Sequence, residues 1–209
     1  EPLASEAVEG LQKAIALVNE EANLNIQLVL DEPRAFTGFK ARLVNFTNVR
    51  NYLALVGPEC KELDGIVGYY GEQLVLLAQS LGLNSCWVGG TYKVVNRAYN
   101  VDLGQKLAAV VALGYGASQG VPHRSKAPQE VAPGYDGAPE WFKRGVDAAL
   151  LAPTALNQQK FSFSLDGEEN DVPVVRASTK RGAFTQMDLG IAQCHFEIGA
   201  GNVLYRWSE

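Results

Sequence analysis

The chain has 209 residues, of which 47% are apolar and 20% are charged, and its formal net charge is −5. This composition is typical of a globular protein that buries its own core, and it excludes collagen-like, low-complexity and disordered chains. The acidic balance argues against nucleic-acid and anionic-membrane partners, and no apolar run reaches the roughly 18–20 residues that span a bilayer. No signal peptide is visible, and with the three cysteines expected to be reduced we expect a cytoplasmic protein.

Hydrophobic periodicity predicts the secondary structure along the chain. In chain order it indicates a helix over residues 4–22, strands over 24–30 and 51–57, a helix over 65–83, a strand over 107–113, a Pro- and Gly-rich loop over 117–140, a helix over 141–151, strands over 161–165 and 172–177, a helix over 187–199 and a strand over 203–207. The helix over 65–83 is apolar nearly all round and is expected to be buried. Gly82 is placed to end it.

The order helix, strand, strand, helix, strand occurs twice, within about 1–116 and 141–209. Leu28–Asp31 and Phe163–Asp166 align at a constant offset, which suggests an internal duplication. Because the strands do not alternate cleanly with crossover helices, we expect an α+β fold with a central, mainly antiparallel sheet flanked by helices. The expected organisation is one domain over residues 1–209, made of two similar halves.

Reactive side chains are sparse in this sequence. No nucleophile elbow, zincin motif or phosphate-binding loop is present, and of the isolated histidines we expect His195 in the core and His123 in solvent. Cys60, Cys86 and Cys194 are odd in number and far apart, which favours reduced, mostly buried thiols over disulfides or a metal site. A cofactor enzyme would fit this inventory, because the cofactor carries the chemistry.

Three polar segments interrupt apolar surroundings and are candidates for ligand contact. Residues 152–160 are rich in amides, whose paired donor and acceptor suit the edge of a flat heterocycle. Residues 83–90 end in two glycines, which let the backbone approach a ligand closely. In residues 114–126, Arg124 and Lys126 flank a hydroxyl and could hold a phosphate. Each segment can also be interpreted structurally, as a polar loop, a glycine-rich turn and a solvated basic turn.

Together these segments resemble the nitroreductase-like flavoprotein superfamily, and specifically a divergent bacterial branch of it. The resemblance covers nearly the whole chain. It rests on GYYGEQLVLLAQSLGLNSCWVGGTYK (68–93), VVALGYG with GVPHRSK, WFKRGVDAALLAPTALNQQKFSFSL (141–165) and DLGIAQCHFEIGAG (188–201). The combination is specific, whereas no single stretch is.

The resemblance implies an α+β nitroreductase fold with non-covalently bound FMN. APTALNQQ is similar to the family's Ala-Pro-Ser-x-x-Asn-x-Gln segment, which lines the flavin ring. It implies ring contacts from Asn157 and Gln159, with Thr154 where the family often has serine. Arg124 and Lys126 correspond to the basic pair that holds the flavin phosphate.

The resemblance also places Trp87, Gly89 and Gly90 beside the flavin. Two departures qualify the match. The family's Arg-x-Ser-x-Arg phosphate segment would come just before Glu1, so we expect the start to be trimmed or processed. The amide segment lies in the second half of the chain, whereas simpler relatives carry it in the first, which leaves open which half serves which flavin.

The family usually forms dimers with the flavin near the interface, and the apolar helix over 65–83 independently suggests a homodimer. The alternative is that the second half covers this helix within one chain, as in a pseudo-dimer.

The implied function is an FMN-dependent NAD(P)H oxidoreductase that reduces nitroaromatics, quinones or a similar small acceptor in two half-reactions at one flavin. NADH or NADPH would be the electron donor, and neither a catalytic side chain nor a metal is required. One alternative is a flavin-binding protein for storage or sensing without turnover. Another is a homologue that has lost its flavin, against which the intact amides and the basic pair argue.

Overall fold

The computed structural model describes residues 1–38 and 46–208. Its helices are α1 (Ser5–Ala22), α2 (Leu63–Ser80), α3 (Pro128–Val131), α4 (Glu140–Ala149) and α5 (Thr185–Ala200). Its strands are β1 (Gln27–Val29), β2 (Asn51–Pro58), β3 (Asn84–Val88), β4 (Gln105–Gly114), β5 (Phe161–Glu169), β6 (Val172–Thr179) and β7 (Arg206–Trp207). The predicted α+β class is confirmed.

The chain divides into two compact units. Unit 1 comprises Glu1–Leu63 and Tyr70–Val121, and unit 2 comprises Asp64–Tyr69 and Pro122–Glu209. The predicted similarity of the two halves remains a prediction.

Unit 1 contains a four-stranded sheet in the order β1-β2-β4-β3, and its three strand pairings are antiparallel. Every residue from Asn51 to Gly57 in β2 is buried, as the apolar run predicts. Helix α1 buries one stripe of side chains at helical spacing, namely Ala7, Leu11, Ile15 and Val18.

Helix α2 ends as the sequence predicts. Gly82 has a φ of +80°, a conformation that glycine adopts without a steric penalty. Its N–H donates to the carbonyl of Gln79, and the N–H of Leu83 donates to that of Ala78 at 2.9 Å, which is the Schellman pattern. The expected burial is also seen, since no residue from Leu63 to Ala78 is exposed. Helix α2 therefore does not present the exposed apolar patch on which the homodimer expectation was partly based.

Unit 2 contains a three-stranded sheet in the order β5-β6-β7. The β5–β6 pairing is antiparallel and the β6–β7 pairing is parallel. Helices α4 and α5 approach closely through glycines. A Cβ on Gly145 would lie 2.8 Å from the ring of Phe196, and one on Gly199 would lie 2.4 Å from the carbonyl oxygen of Arg144. The amide-rich segment belongs to the connection between α4 and β5, which residues 150–160 form.

Three local features differ from the expectations. The strand predicted over 24–30 is limited to Gln27–Val29, and Leu30 is 42% exposed because the strand ends before it. Residues 83–90, for which a glycine-rich turn was the structural alternative, contain strand β3, which pairs with β4 and was not expected because Asn84 and Ser85 are polar. All three cysteines are free as expected, but Cys60 and Cys86 are exposed.

None of the helices in the described part of the chain has both the length and the apolarity needed to span a bilayer.

Candidate functional site

The structure brings five of the predicted site residues together in unit 2. They come from two segments: Arg124 and Lys126 from the basic segment, and Thr154, Asn157 and Gln159 from the amide segment. The hydrogen bonds between the two segments join residues that are 33 and 35 positions apart in the chain, so only the fold makes them neighbours.

Gln159 is the residue that joins the two segments. It is only 2% exposed, and its side-chain oxygen accepts the backbone N–H of Lys126 at 2.9 Å. Its side-chain nitrogen donates to the carbonyl of Arg124 at 2.9 Å and to Oδ1 of Asn157 at 2.7 Å. Both amide hydrogens and one acceptor position are thus used inside the protein. Gln159 holds the site together, and a direct contact with a ligand ring would compete with these bonds.

The two cations of the basic segment differ in what they already bind. The ammonium of Lys126 donates to the carbonyl of Gln159 at 2.6 Å and keeps two further N–H donors. The guanidinium of Arg124 is exposed and makes no hydrogen bond or ion pair with any described residue. Arg124 is therefore available to an anion without first breaking an internal contact.

Thr154 and Asn157 also keep unused polar capacity. The hydroxyl oxygen of Thr154 accepts the N–H of Gln159 at 3.1 Å, and its own proton is given to no described residue. Asn157 is exposed, and its Nδ2 donates to the carbonyl of Arg124 at 2.9 Å. Its Oδ1 accepts one bond from Gln159 and retains a second lone pair. These two side chains can therefore offer one donor and one acceptor to a ligand.

The amide segment adopts an unusual backbone. Leu156, Asn157 and Gln159 have φ values of 52°, 53° and 42°, in the left-handed region that residues other than glycine seldom occupy. Such a conformation persists only when surrounding contacts determine it, and it is found most often at functional sites. Leu156, at the tip of this loop, is fully exposed at 102%.

Two residues of the basic segment bind the end of helix α4. His123 Nε2 lies 2.9 Å from the carbonyl oxygen of Leu150, and the hydroxyl of Ser125 donates to the same oxygen at 3.0 Å. His123 is half-buried, so the expectation that it is purely solvated was wrong. The contact fixes the basic segment beside the amide loop, and nothing in the local sequence of residues 120–126 indicates it.

Asp188, in the first turn of α5, is a further residue of the site that was not predicted from the sequence. This residue is 3% exposed and binds the amide loop from its other side. The available signal was a carboxylate directly before the apolar stretch LGIA (189–192), since buried carboxylates almost always have polar partners.

The remaining predicted site residues, Trp87, Gly89 and Gly90, lie in unit 1. The indole N–H of Trp87 donates to Glu72 at 2.8 Å, and its ring covers Gly71, where a Cβ would lie 2.7 Å from the ring. Gly90 has open space around its Cα. The backbone after β3 is thus open to approach, while Trp87 itself is tied to helix α2.

Unit 1 also contains a cleft of about 630 Å³, a size at which small molecules bind. The second and third polar segments both contribute to it. Its lining comprises Glu1, residues 46–51, residues 84–86 and residues 112–118. Among the described residues, no cluster of His, Cys, Asp or Glu is arranged to hold a metal ion.

Comparison with known proteins gave one family match. A family model described as "Putative TM nitroreductase" matches residues 1–200. No curated protein matches the chain.

Comparison with solved structures gave several matches, of which three are described. A putative nitroreductase from Thermotoga maritima is 17% identical, with a TM-score of 0.58 over 90% of this chain and 82% of that one. A putative NADH dehydrogenase/NAD(P)H nitroreductase from Parabacteroides distasonis is 16% identical, with a TM-score of 0.48 over 63% of this chain and 86% of that one. An FMN-dependent nitroreductase from Clostridium difficile is 16% identical, with a TM-score of 0.43 over 57% and 80%. The Thermotoga maritima structure confirms the expected nitroreductase-like fold.

Proposed function

Because the chain belongs to the TM nitroreductase family, whose model covers residues 1–200, we propose that it is an FMN-dependent oxidoreductase. It would take electrons from NADH or NADPH and pass them to a small acceptor such as a nitroaromatic or a quinone. The observation that carries this proposal is the Gln159 network, which joins a polar loop to Arg124, whose guanidinium has no partner among the described residues. A ligand with a phosphate at one end and a heterocycle at the other needs both a cation and a polar loop.

The polar groups left over in the network fit FMN. The phosphate would be held by the guanidinium of Arg124 and the two remaining N–H donors of Lys126. The flavin ring carries both carbonyl and N–H groups along its polar edge, which the hydroxyl of Thr154 and Oδ1 of Asn157 can complement. In this proposal Gln159 positions its neighbours and does not itself contact the ring. Because the protein's net charge is negative, local cations are needed to attract the phosphate anion.

Bound FMN would supply the hydride chemistry. The protein's own contribution is to hold the phosphate, to orient the ring edge and to leave one face accessible. No side chain of the described network needs to transfer a proton. We expect the nicotinamide and the acceptor to use the same place in turn, which gives parallel double-reciprocal lines in initial-rate measurements.

The proposal is tested by reconstituting the protein with FMN and adding NADH or NADPH without oxygen. We expect a yellow protein that the nicotinamide bleaches and that a quinone or nitroaromatic re-oxidises. A protein that binds FMN but is not bleached would instead be a flavin-binding protein for storage or sensing. A protein that binds no flavin would contradict both the oxidoreductase and the flavin-storage functions. Intersecting double-reciprocal lines would contradict a single binding place for the nicotinamide and the acceptor.

We further propose a homodimer located in the cytoplasm. Dimerisation is proposed from the family resemblance, since the described residues of helix α2 leave no apolar face exposed. Light scattering at micromolar concentration tests it, and a monomer would refute it.

A further inference from the structure

The amide loop is held by a second set of hydrogen bonds, on a different side from the Gln159 network. One carboxylate oxygen of Asp188 accepts the backbone N–H of Ala155 at 2.9 Å. Its other oxygen accepts Nε2 of Gln158 at 2.7 Å. A single side chain from α5 thus binds both the beginning of the loop and a residue near its end.

Gln158 is itself tightly placed. Its Nε2 also donates to the carbonyl of Ala183 at 3.0 Å. Gly182 lies so close that an added Cβ would be 3.4 Å from Oε1 of Gln158 and 2.8 Å from the ammonium of Lys160. The side chain of Gln158 therefore has little freedom to turn away from Asp188.

Burying the carboxylate of Asp188 is energetically unfavourable for a contact that only supports the fold. The residue is 3% exposed, and burying a charge is unfavourable unless it is well bonded. Its place in the first turn of α5 and the nearby charge of Lys160 offset part of that cost. A carboxylate presents two separate acceptor oxygens and no donor, so the N–H of Ala155 and Nε2 of Gln158 each meet an oxygen of their own, whereas an asparagine amide would place an NH₂ group opposite one of these donors.

The loop that Asp188 holds has three residues with positive φ, at 156, 157 and 159. A backbone of this kind relaxes unless contacts on several sides fix it. The Gln159 network fixes the loop's second part from the basic segment, and Asp188 fixes Ala155 and Gln158. Thr154 directly precedes Ala155 in the chain, and Asn157 directly precedes Gln158. In the proposed function, the unused polar atoms of Thr154 and Asn157 bind the ligand.

We propose that Asp188 is a positioning residue: its carboxylate sets the conformation of residues 154–159 and thereby the affinity of the site for FMN. The effect on the loop conformation concerns the protein alone, whereas the effect on FMN affinity rests on the proposed function.

The test compares Asp188→Asn with the matched variant Glu197→Gln. Glu197 lies on the same helix and also accepts two donors, the indole of Trp207 at 2.7 Å and the hydroxyl of Tyr69, but it makes no described contact with the loop. In Asp188→Asn the new NH₂ group faces the NH₂ group of Gln158, so one of the two bonds is lost. Hydrogen exchange of the amides of residues 154–159 is measured in flavin-free protein, FMN affinity by fluorescence titration, and Tm by calorimetry.

We expect Asp188→Asn to accelerate amide exchange in the loop and to raise the Kd for FMN about tenfold, the effect of one lost charge-assisted bond. Its Tm at neutral pH should not fall, because a buried charge has been removed. Glu197→Gln should leave loop exchange and FMN affinity unchanged while lowering Tm. Gln158→Ala keeps the bond from Ala155 to Asp188, so it should also accelerate amide exchange in the loop and raise the Kd for FMN, but less strongly. This second variant replaces Asp188→Asn in the test if Asp188→Asn does not fold.

Unchanged loop exchange in both loop variants would overturn the inference, as would faster exchange with unchanged FMN affinity. If the wild-type protein binds no FMN, the proposed function fails, and the exchange measurement still decides whether Asp188 sets the conformation of the loop.

Discussion

Gln159 binds both nitrogen atoms of Lys126. Its side-chain oxygen accepts the backbone N–H at 2.9 Å, and its backbone carbonyl accepts the ammonium at 2.6 Å. The pair fixes the direction in which the basic segment leaves the amide loop. Since Arg124 precedes Lys126 by two residues, the same contact limits where the guanidinium of Arg124 can reach.

Gln159→Leu should destabilise the fold. It would leave the N–H of Lys126 without its partner and would remove one of the two donors to the carbonyl of Arg124, and we expect a loss of about 2–4 kcal/mol in the free energy of unfolding. Urea unfolding measures it. The matched variant is Gln129→Leu, whose amide binds Asp136 at the surface and whose loss should change stability by less than about 0.5 kcal/mol. Equal stabilities of the two variants would contradict the central role of Gln159.

Arg124→Ala should weaken FMN without weakening the fold. The guanidinium has no partner among the described residues, so its removal breaks no internal bond. A charge-assisted bond contributes about 1.5–3 kcal/mol, which predicts a ten- to hundredfold higher Kd for FMN and greater sensitivity to salt. Riboflavin, which lacks the phosphate, should bind nearly unchanged. Arg206→Ala, which removes an arginine paired with Glu169, is the charge-matched control. Equal losses for FMN and riboflavin would place the phosphate elsewhere.

Asn157→Ala should weaken FMN and riboflavin alike, by about tenfold, because it removes a group proposed to bind the ring edge that both share. Part of the effect would be structural, since Asn157 also donates to the carbonyl of Arg124. Calorimetric titration of both ligands measures the ratio. A loss confined to FMN would show that Asn157 acts through the phosphate end.

The stability of the wild-type protein should fall relative to that of Asp188→Asn as pH rises. Burial raises the pKa of Asp188 above its ordinary value of 3.8, although bonds from Ala155 and Gln158 and the charge of Lys160 act in the opposite direction. A raised pKa means that the folded state binds the proton more tightly than the unfolded state. The corresponding stability is complete below pH 3.8 and is lost as pH rises through the folded-state pKa. Urea unfolding between acidic and neutral pH measures the difference, and one that does not change with pH would contradict the raised pKa.

Gly190→Ala should destabilise unit 2. A Cβ on Gly190 would lie 2.0 Å from the carbonyl oxygen of Gly65, so the two helices must move apart, at about 1–3 kcal/mol or more. Gly65→Ala is the matched control, because its nearest new contact is an ordinary 3.7 Å and alanine favours a helix by about 1 kcal/mol. Thermal unfolding should therefore give shifts of opposite sign. A stabilised Gly190→Ala variant would mean that these helices are not in such close contact.

The sequence by itself determined most elements of secondary structure and the family. Hydrophobic periodicity is a local property, and it placed α1, α2, β2 and β4 within a few residues of their observed ends. The conformation of Gly82 was likewise predictable, because only glycine adopts positive φ without a penalty. The polar strand β3 was missed because Asn84 and Ser85 are atypical of strands, and its pairing with β4 overrides that weak local preference.

The tertiary structure decided what each polar side chain does. From the sequence, Asn157 and Gln159 are two similar amides in one motif. In the fold, Gln159 is buried and bound to residues 33 and 35 positions away, whereas Asn157 is exposed. Asp188 acquires its role in the same way, because Ala155 lies 33 positions before it in the chain. Hydrogen-bond partners are selected by distance in space, and for residues so far apart in sequence that distance is fixed only by the packing of the helices and strands between them.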